Sequence, residues 1–160
     1  MALKILKALR ERKIDAHLTI IGCVPPPESD LNQMRVIEKF DKDSEEGERE
    51  FVAILNQTDF FILPTRADCT PIVIAEAFSA GVPVLATNTG GIPSLVSEGV
   101  NGFMFAQDDV QGYVQRITQL INAPLQYERI SQNCIQSYNT TFNWQQWAAK
   151  FKRITATHLS

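Results

Sequence analysis

The chain has 160 residues, of which 44% are hydrophobic and 21% charged, and its formal net charge is −3. These values are typical of one globular domain with a real core and argue against a nucleic-acid partner, which would need a basic surface. No apolar run approaches the about 20 residues that span a membrane. Cys23, Cys69 and Cys134 are widely spaced and form neither a metal motif nor a disulfide framework, which favours reduced thiols and a cytoplasmic location. Cys23 and Cys134 lie in apolar contexts and Cys69 on the polar loop. His17 and His158 are isolated, and no metal site is predicted.

The first third of the chain predicts alternating helices and strands. Apolar residues recur at helical spacing over residues 2–12, with lysines and arginines on the other side. The run Ile14 to Gly22 predicts a strand that becomes fully buried at its end. Three prolines at 25–27 force an extended loop, which we interpret as a rigid spacer rather than the border of a site. A short strand, a polar loop with a helix start, and a helix are predicted next, at 34–40, 41–48 and 50–57.

The middle of the chain concentrates polar residues where predicted strands end. A buried strand, Asp59 to Leu63, leads into the polar loop Thr65 to Thr70 and then a helix, Pro71 to Ala80. A second strand, Pro83 to Ala86, opens onto the segment Thr89 to Pro93. In open α/β sheets ligands bind at the carboxyl ends of the strands, so these two loops predict a binding site.

The central helix carries one charged residue. Thr70 suits its N-cap, Pro71 its first helical position, and Gly81 the left-handed position after its end. The residues between are apolar on nearly every face, which predicts a helix buried on most sides. Glu76 is the exception, and a buried carboxylate needs donors from the protein or from a ligand. The residues alone leave open whether Glu76 binds a ligand or belongs to a buried structural pair.

Asp68 lies eight positions before Glu76, so the two carboxylates can converge on one crevice from a loop and a helix. Here the chain resembles the C-terminal, donor-binding half of a retaining glycosyltransferase of the GT-B fold (glycosyl transferase group 1, or family 4, type). Enzymes of that group carry a sequence motif in which an acidic residue is followed, after seven other residues, by a Glu. The likeness spans roughly residues 15–147. It is carried by Asp68, Thr70 to Val73, Glu76-Ala77, Gly81 to Val84, Gly90 to Pro93 and Asn101 to Phe103.

The resemblance implies a role for each matching residue. Glu76 would bind the nucleotide ribose and Asp68 a sugar hydroxyl, as the two catalytic candidates. Backbone N–H groups of Ile72 and Val73, at the helix N-terminus, would hold the diphosphate and stabilise the leaving group. The residues after the second strand suggest a further helical turn, at 92–96, whose free N–H groups would suit a phosphate. The remaining substrate-binding candidates, on the two loops, are Thr70, Pro71, Gly90 and Gly91.

Three departures from the family pattern concern the donor sugar. The first acid is usually Glu but here is Asp68, the glycine-rich approach loop is replaced by residues 69–71, and Ser94 stands where Glu is frequent. The resemblance implies a UDP-, GDP- or ADP-sugar as the donor, and the sequence identifies neither the base, the sugar nor the acceptor. No cofactor beyond this substrate is expected. The resemblance implies front-face attack without an enzyme nucleophile, and the absence of a metal cluster in the sequence makes metal independence the default expectation.

The last third predicts a strand and three helices. The strand is Gly102 to Phe105, and Asn143 suits the N-cap of the last helix. Its aromatic stripe, Trp144, Trp147 and Phe151, is predicted to face the core. The resemblance implies a second possibility, in which this helix packs toward an N-terminal domain. The helices are predicted at 109–122, 125–138 and 144–157. Strands alternating with helices predict an α/β fold, a three-layer Rossmann-like domain with a mainly parallel sheet over 1–160, the terminal helix occupying about 143–160.

We interpret the chain as the nucleotide-sugar-binding part of a hexosyltransferase. The alternatives are a non-catalytic nucleotide-binding or interaction module and a sugar-nucleotide 2-epimerase-like half. The first helix lacks the preceding strand that a right-handed crossover requires, so we expect a fragment or truncated product without its N-terminal acceptor domain. Such a chain would be inactive alone. A gap or exposed edge in its sheet would favour self-association, for instance a homodimer.

Overall fold

The chain folds into α-helices and parallel β-strands, as predicted. The computed structural model describes residues 1–27, 29, 32 and 34–158. The strands are β1 (Leu18–Ile21), β2 (Met34–Ile37), β3 (Phe61–Leu63), β4 (Val84–Thr87) and β5 (Gly102–Phe105). The α-helices are α1 (Ala2–Glu11), α2 (Glu45–Asn56), α3 (Ile72–Ser79), α4 (Val110–Ile121), α5 (Pro124–Ser137) and α6 (Trp144–His158). A 3-10 turn covers Ile92–Ser94, and one π-helical segment, Tyr138–Phe142, joins α5 to α6.

The strands form two parallel groups. β1 pairs with β2, and β4 lies between β3 and β5. The register sets Phe61 opposite Val84 and Val84 opposite Gly102, so the carboxyl ends of β3, β4 and β5 meet at one edge. Within the described part of the chain no ladder joins β1 or β2 to the other three strands, which confirms the expected break in the sheet.

The three-stranded group is covered on both faces. One cluster of buried side chains joins β4 to α3 and α5, with Ile74, Phe78 and Ile130 inaccessible to solvent. A second cluster joins β4 to α1 and α4 through Ile5 and Tyr113. The predicted three layers are therefore present. All four residues of β4 are buried, whereas β3, which has a strand on one side only, is half-buried along its length.

Two sequence predictions fail at the N-terminal strand. Ile14 to Gly22 was expected to end fully buried, yet β1 is shorter and both Ile20 and Ile21 remain partly exposed, because β1 is paired on one side only. Cys23 is exposed rather than apolar-packed. It follows Gly22, whose φ of +79° turns the chain out of the strand and into the proline loop.

Helix boundaries follow capping more than hydrophobic spacing. α2 begins at Glu45, within the stretch 41–48 that was predicted to hold a helix start, because the Ser44 side chain accepts the Gly47 N–H at 3.1 Å. Acidic residues in the first turn suit the positive end of the helix dipole. Asn143 caps α6 as predicted, with its side-chain oxygen accepting the Gln146 N–H at 2.9 Å.

The aromatic stripe of α6 does not face the core, and that prediction is wrong. Trp144 is 71% exposed, Trp147 57% and Phe151 53%. The helix contacts the π-helical segment before it, and its half-buried positions include Ala148 and Thr155 rather than the aromatic residues. None of the described helices combines the length and the apolar character needed to cross a membrane.

Candidate functional site

The loops that follow β3 and β4 lie against each other at the carboxyl edge of the sheet. Thr65, two residues past β3, donates its hydroxyl to the Ala67 carbonyl at 3.0 Å. The Thr89 hydroxyl, two residues past β4, donates to the Arg66 carbonyl at 3.3 Å. The two loops that the sequence predicted to form a site are therefore joined by a side-chain contact.

Gly90 and Gly91 fit closely against the backbone of the acidic loop. Gly90 has a φ of +55°, and a Cβ there would overlap the Asp68 carbonyl oxygen. A Cβ on Gly91 would overlap the Cys69 carbonyl oxygen. The Gly91 N–H donates to the Asp68 carbonyl at 3.0 Å, so the expectation of a free N–H at this glycine is wrong. The glycine pair instead lets the Asp68 loop pack onto the β4 loop.

The N-terminus of α3 opens beside these loops. The helix begins at Ile72, with Pro71 as its N-cap at φ −70° and ψ 107°, so the prediction of Thr70 as N-cap is wrong. An extended ψ at Pro71 keeps that residue outside the helix. No acceptor within the described ranges receives the N–H of Ile72 or Val73, and the Ile72 side chain is 61% exposed. Two backbone donors at the positive end of a helix are thus available to an anion.

Glu76 projects from the second turn of α3 and is only partly satisfied. Its Oε1 accepts a hydrogen bond from the Lys42 ammonium in an ion pair, while its side chain is 29% exposed. Its Oε2 is buried and has no hydrogen-bond partner within the described residues. A buried acceptor without a partner costs about 1–3 kcal/mol, so an incoming hydroxyl donor would be favoured there.

Lys42 was not predicted from the sequence. It lies in the loop between β2 and α2, and its ammonium nitrogen is 4.0 Å from the centroid of the Phe51 ring. This residue brings the β2 loop to the helix that carries Glu76. The sequence feature that could have marked Lys42 is its position as the one basic residue in the otherwise acidic or neutral stretch 41–48.

Asp68 is half-buried on the loop before α3. Its carboxylate has no hydrogen-bond or ion-pair partner within the described residues, and its carbonyl holds the glycine loop. Arg66, on the same loop, approaches Asp108 beyond β5 at 4.0 Å between Nη2 and Oδ2, and both side chains are mostly exposed. The loops after β3 and β5 therefore bring carboxylates and a guanidinium to one edge. Arg66 and Asp108 were not singled out from the sequence.

Two surface hollows lie elsewhere along the chain. One, of about 210 Å³, is lined by residues around the start of α2, among them Phe40 and Glu50. The other, of about 190 Å³, is lined by the proline loop with Val36 and Glu38. Neither hollow includes Asp68 or Glu76. The role of the proline loop as a spacer or as the border of a site stays a prediction. Within the described residues no three His, Cys, Asp or Glu side chains cluster as metal ligands do.

Comparison with known proteins places this geometry in a family. The sequence profile of the glycosyl transferases group 1 family matches residues 1–123. A sulfoquinovosyl transferase from Arabidopsis thaliana is 27% identical over 124 residues, 76% of this chain and 24% of that protein. The chain thus spans about a quarter of the curated relatives it matches first.

Solved structures show the same fold at low identity. The C-terminal domain of a glycosyl transferase group 1 protein from Francisella tularensis matches with a TM-score of 0.71 and 16% identity, covering 89% of this chain and 78% of that one. Anabaena HepE in complex with UDP matches with a TM-score of 0.66 and 22% identity, covering 79% and 33%. The fold is thus that of the C-terminal half of a GT-B glycosyltransferase, and the chain belongs to the glycosyl transferases group 1 family.

Proposed function

We propose that the chain binds a nucleotide-diphospho-sugar at the carboxyl edge of β3 and β4 and supplies the donor side of a retaining hexosyl transfer. The observation that carries this is the unsatisfied Glu76 Oε2, on the helix whose first N–H groups are open to an anion. A ligand that presents both hydroxyl donors and phosphate oxygens would satisfy both. A ribose diphosphate has this chemistry, and the solved relative HepE holds UDP.

Each site residue has a distinct proposed role. Glu76 accepts the ribose hydroxyls, and Asp68 accepts a hydroxyl of the sugar. The N–H groups of Ile72 and Val73 hold the diphosphate and stabilise the charge that develops on it as the sugar departs. No carboxylate is assigned as a nucleophile. The acceptor therefore attacks the donor sugar on the face from which the nucleoside diphosphate departs, and the leaving phosphate assists the attack.

The loop residues around these groups shape the donor site. Thr70 and Pro71 form the approach to the helix, and the glycine pair holds the acidic loop in place. Because Gly91 already donates to the Asp68 carbonyl, the phosphate role of this loop falls to the N–H of Gly90, for which the described residues supply no acceptor. Lys42, which pairs with Glu76, and Arg66, which approaches Asp108, are cations on the loops of this edge and would offset part of the diphosphate charge.

A structural role for Glu76 is the competing explanation. Its ion pair with Lys42 is the kind of contact that a purely structural carboxylate would make. The pair is only partly desolvated, with 42% of the Lys42 side chain exposed, and it leaves one oxygen of Glu76 unpaired. A non-catalytic binding module or a sugar-nucleotide 2-epimerase-like half would use the same site, so one assay has to separate all three functions.

The experiment incubates the chain with a nucleotide-sugar and no acceptor, using UDP-, GDP- and ADP-sugars in turn. Slow hydrolysis of one donor supports the transferase, inversion of the sugar at C2 supports the epimerase, and binding without turnover supports the module. Failure of every donor to bind would contradict the proposed site itself. Transfer to an acceptor is expected to be undetectable, because the cleft that excludes water and positions the acceptor would need protein beyond this chain.

We also propose a homodimer and a cytoplasmic setting. β1 and β3 each pair on one side within the described strands, and a strand edge of this kind invites pairing with another chain. Sedimentation at tens of micromolar should show self-association, and a clean monomer would contradict it. The three unpaired cysteines are consistent with a reducing compartment.

A further inference from the structure

Neither carboxylate oxygen of Glu76 is ready to receive a hydroxyl in the arrangement that the structure shows. Oε1 accepts a hydrogen bond from the Lys42 ammonium in an ion pair. Oε2 has no hydrogen-bond partner within the described residues, but it is buried. One oxygen is occupied and the other is closed to solvent, so a ribose hydroxyl reaches this carboxylate only after a neighbouring group has moved.

Lys42 is the neighbour that moves most easily. Besides Glu76, its ammonium contacts the Phe51 ring, 4.0 Å from the ring centroid. A lysine carries its charge on a flexible four-carbon stem, and a partly exposed ion pair of this kind is weak. Glu76, in contrast, projects from α3, where packing holds the backbone because Ile74 and Phe78 are inaccessible to solvent. Release of the pair is therefore a movement of the Lys42 side chain.

A second place for the ammonium lies one helical turn away. The N–H groups of Ile72 and Val73 open the helix that carries Glu76, and the described residues supply no acceptor for them. One turn of an α-helix is about 5.4 Å long, so an anion held by these N–H groups would lie beside the carboxylate. A lysine that already contacts Glu76 needs only a rotation of its side chain to meet that anion.

We propose that Lys42 exchanges Glu76 for the diphosphate when a nucleotide binds, and that this exchange makes the site select nucleoside diphosphates over nucleosides. It rests on the proposed function, which places the ribose at Glu76 and the diphosphate at the start of α3. A nucleoside that displaces Lys42 offers the ammonium no new partner, so the lost ion pair lowers its affinity. A diphosphate accepts the displaced ammonium, which then stabilises the complex. Lys42 thus discriminates both by a cost against the wrong ligand and by a contact with the right one.

A purely structural Lys42 predicts a different result for Lys42→Met. If the ion pair only held Glu76 in position, its loss would weaken nucleoside and diphosphate binding alike. Exchange predicts opposite signs. Nucleoside binding should become tighter, by at most about fivefold, because the competing ion pair is gone. Diphosphate binding should become weaker, so the ratio of the nucleoside and diphosphate dissociation constants should fall about tenfold to a hundredfold, which measures the lost contact with the diphosphate.

The experiment compares each nucleoside with its diphosphate by amide NMR titration of the full chain. The pairs are uridine and UDP, guanosine and GDP, and adenosine and ADP. The matched control is Lys39→Met, which removes the same charge from an exposed side chain that lies before the same helix but lines the separate hollow at the start of α2. The control should keep the parent's ratio of dissociation constants, and the amide spectra establish that each variant is folded.

The outcomes separate this exchange from the proposed function. Tighter nucleoside binding and a lower ratio for Lys42→Met, with an unchanged ratio for Lys39→Met, would support exchange. Weaker or undetectable nucleoside binding to Lys42→Met, an unchanged ratio, or the same fall in both variants would overturn it while leaving the nucleotide site intact. If the parent chain binds none of the three diphosphates, the proposed function fails and the exchange fails with it.

Discussion

Replacing Glu76 with Gln separates ligand binding from structural support at this residue. The change keeps the shape of the side chain and removes its charge. It weakens the contact with Lys42 and turns one charged acceptor into a neutral amide that can no longer accept through both oxygens. If Glu76 accepts two ribose hydroxyls, nucleotide affinity should fall much more than stability.

The structure allows both effects to be estimated. Glu76 and Lys42 are 29% and 42% exposed, so solvent screening limits their pair to about 1 kcal/mol of stability or less. Hydrogen bonds to a charged group contribute about 1.5–3 kcal/mol, so their loss should weaken binding roughly tenfold to a hundredfold. The free energy of unfolding and the affinity therefore report on different partners of the same carboxylate.

The assay is calorimetric titration with a nucleoside diphosphate, alongside urea unfolding. Asp68→Asn is the matched control, since it makes the same chemical change at the other acid, and it should hardly alter affinity for a ligand without a sugar. Lys42→Met should reproduce the stability loss of Glu76→Gln but lower affinity less than Glu76→Gln does, because Lys42 would offset diphosphate charge without binding the ribose. Equal losses of affinity for Glu76→Gln and Asp68→Asn would refute the division of roles, and an effect of Glu76→Gln on stability alone would leave it as a structural residue.

Three further predictions concern thiols, packing and pH. A thiol reagent should label the exposed Cys23 and Cys69 but not Cys134, because burial raises the pKa of the Cys134 thiol to about 12. Bound nucleotide-sugar should protect Cys69 alone, and equal labelling of all three cysteines would contradict this prediction. Gly91→Ala should cost about 1–3 kcal/mol in urea unfolding and lower nucleotide affinity, since its Cβ overlaps the Cys69 carbonyl, whereas Gly99→Ala, with no atom within 4 Å of its Cβ, should spare affinity. Because the folded thiol of Cys134 stays protonated while the unfolded one ionises, stability should fall as pH rises above the ordinary value of 9.0, and Cys134→Ala should remove that part of the slope in unfolding measured at several pH values.

The sequence was sufficient for the fold because its signals are local. β5 has its predicted bounds, Gly102–Phe105, and Gly81 takes the left-handed position after α3 with a φ of +72°. Parallel pairing then follows from the alternation of helices and strands, and it brings the loops after β3 and β4 to one edge. Asp68, Glu76 and the glycine pair could be located for the same reason.

What the sequence did not reveal depends on contacts between distant residues. Nothing local marks Lys42 as the partner of Glu76, since 34 positions separate them. The partner of Gly91 is a carbonyl on another loop, and from the sequence its N–H was expected to be free. The aromatic spacing of α6 predicts an apolar stripe correctly, but periodicity alone cannot distinguish a stripe that packs on the domain from one that faces outward.

The most direct measurement of the central claim is an amide NMR titration of the chain with UDP, GDP and ADP. At 17.9 kDa the backbone resonances can be assigned, so each perturbed residue can be identified. We predict saturable shifts for one of the three nucleotides at Ile72, Val73, Glu76 and Gly90. No saturable shifts with any of them, or shifts confined to the hollow at the start of α2, would contradict a nucleotide site at the carboxyl edge of β3 and β4.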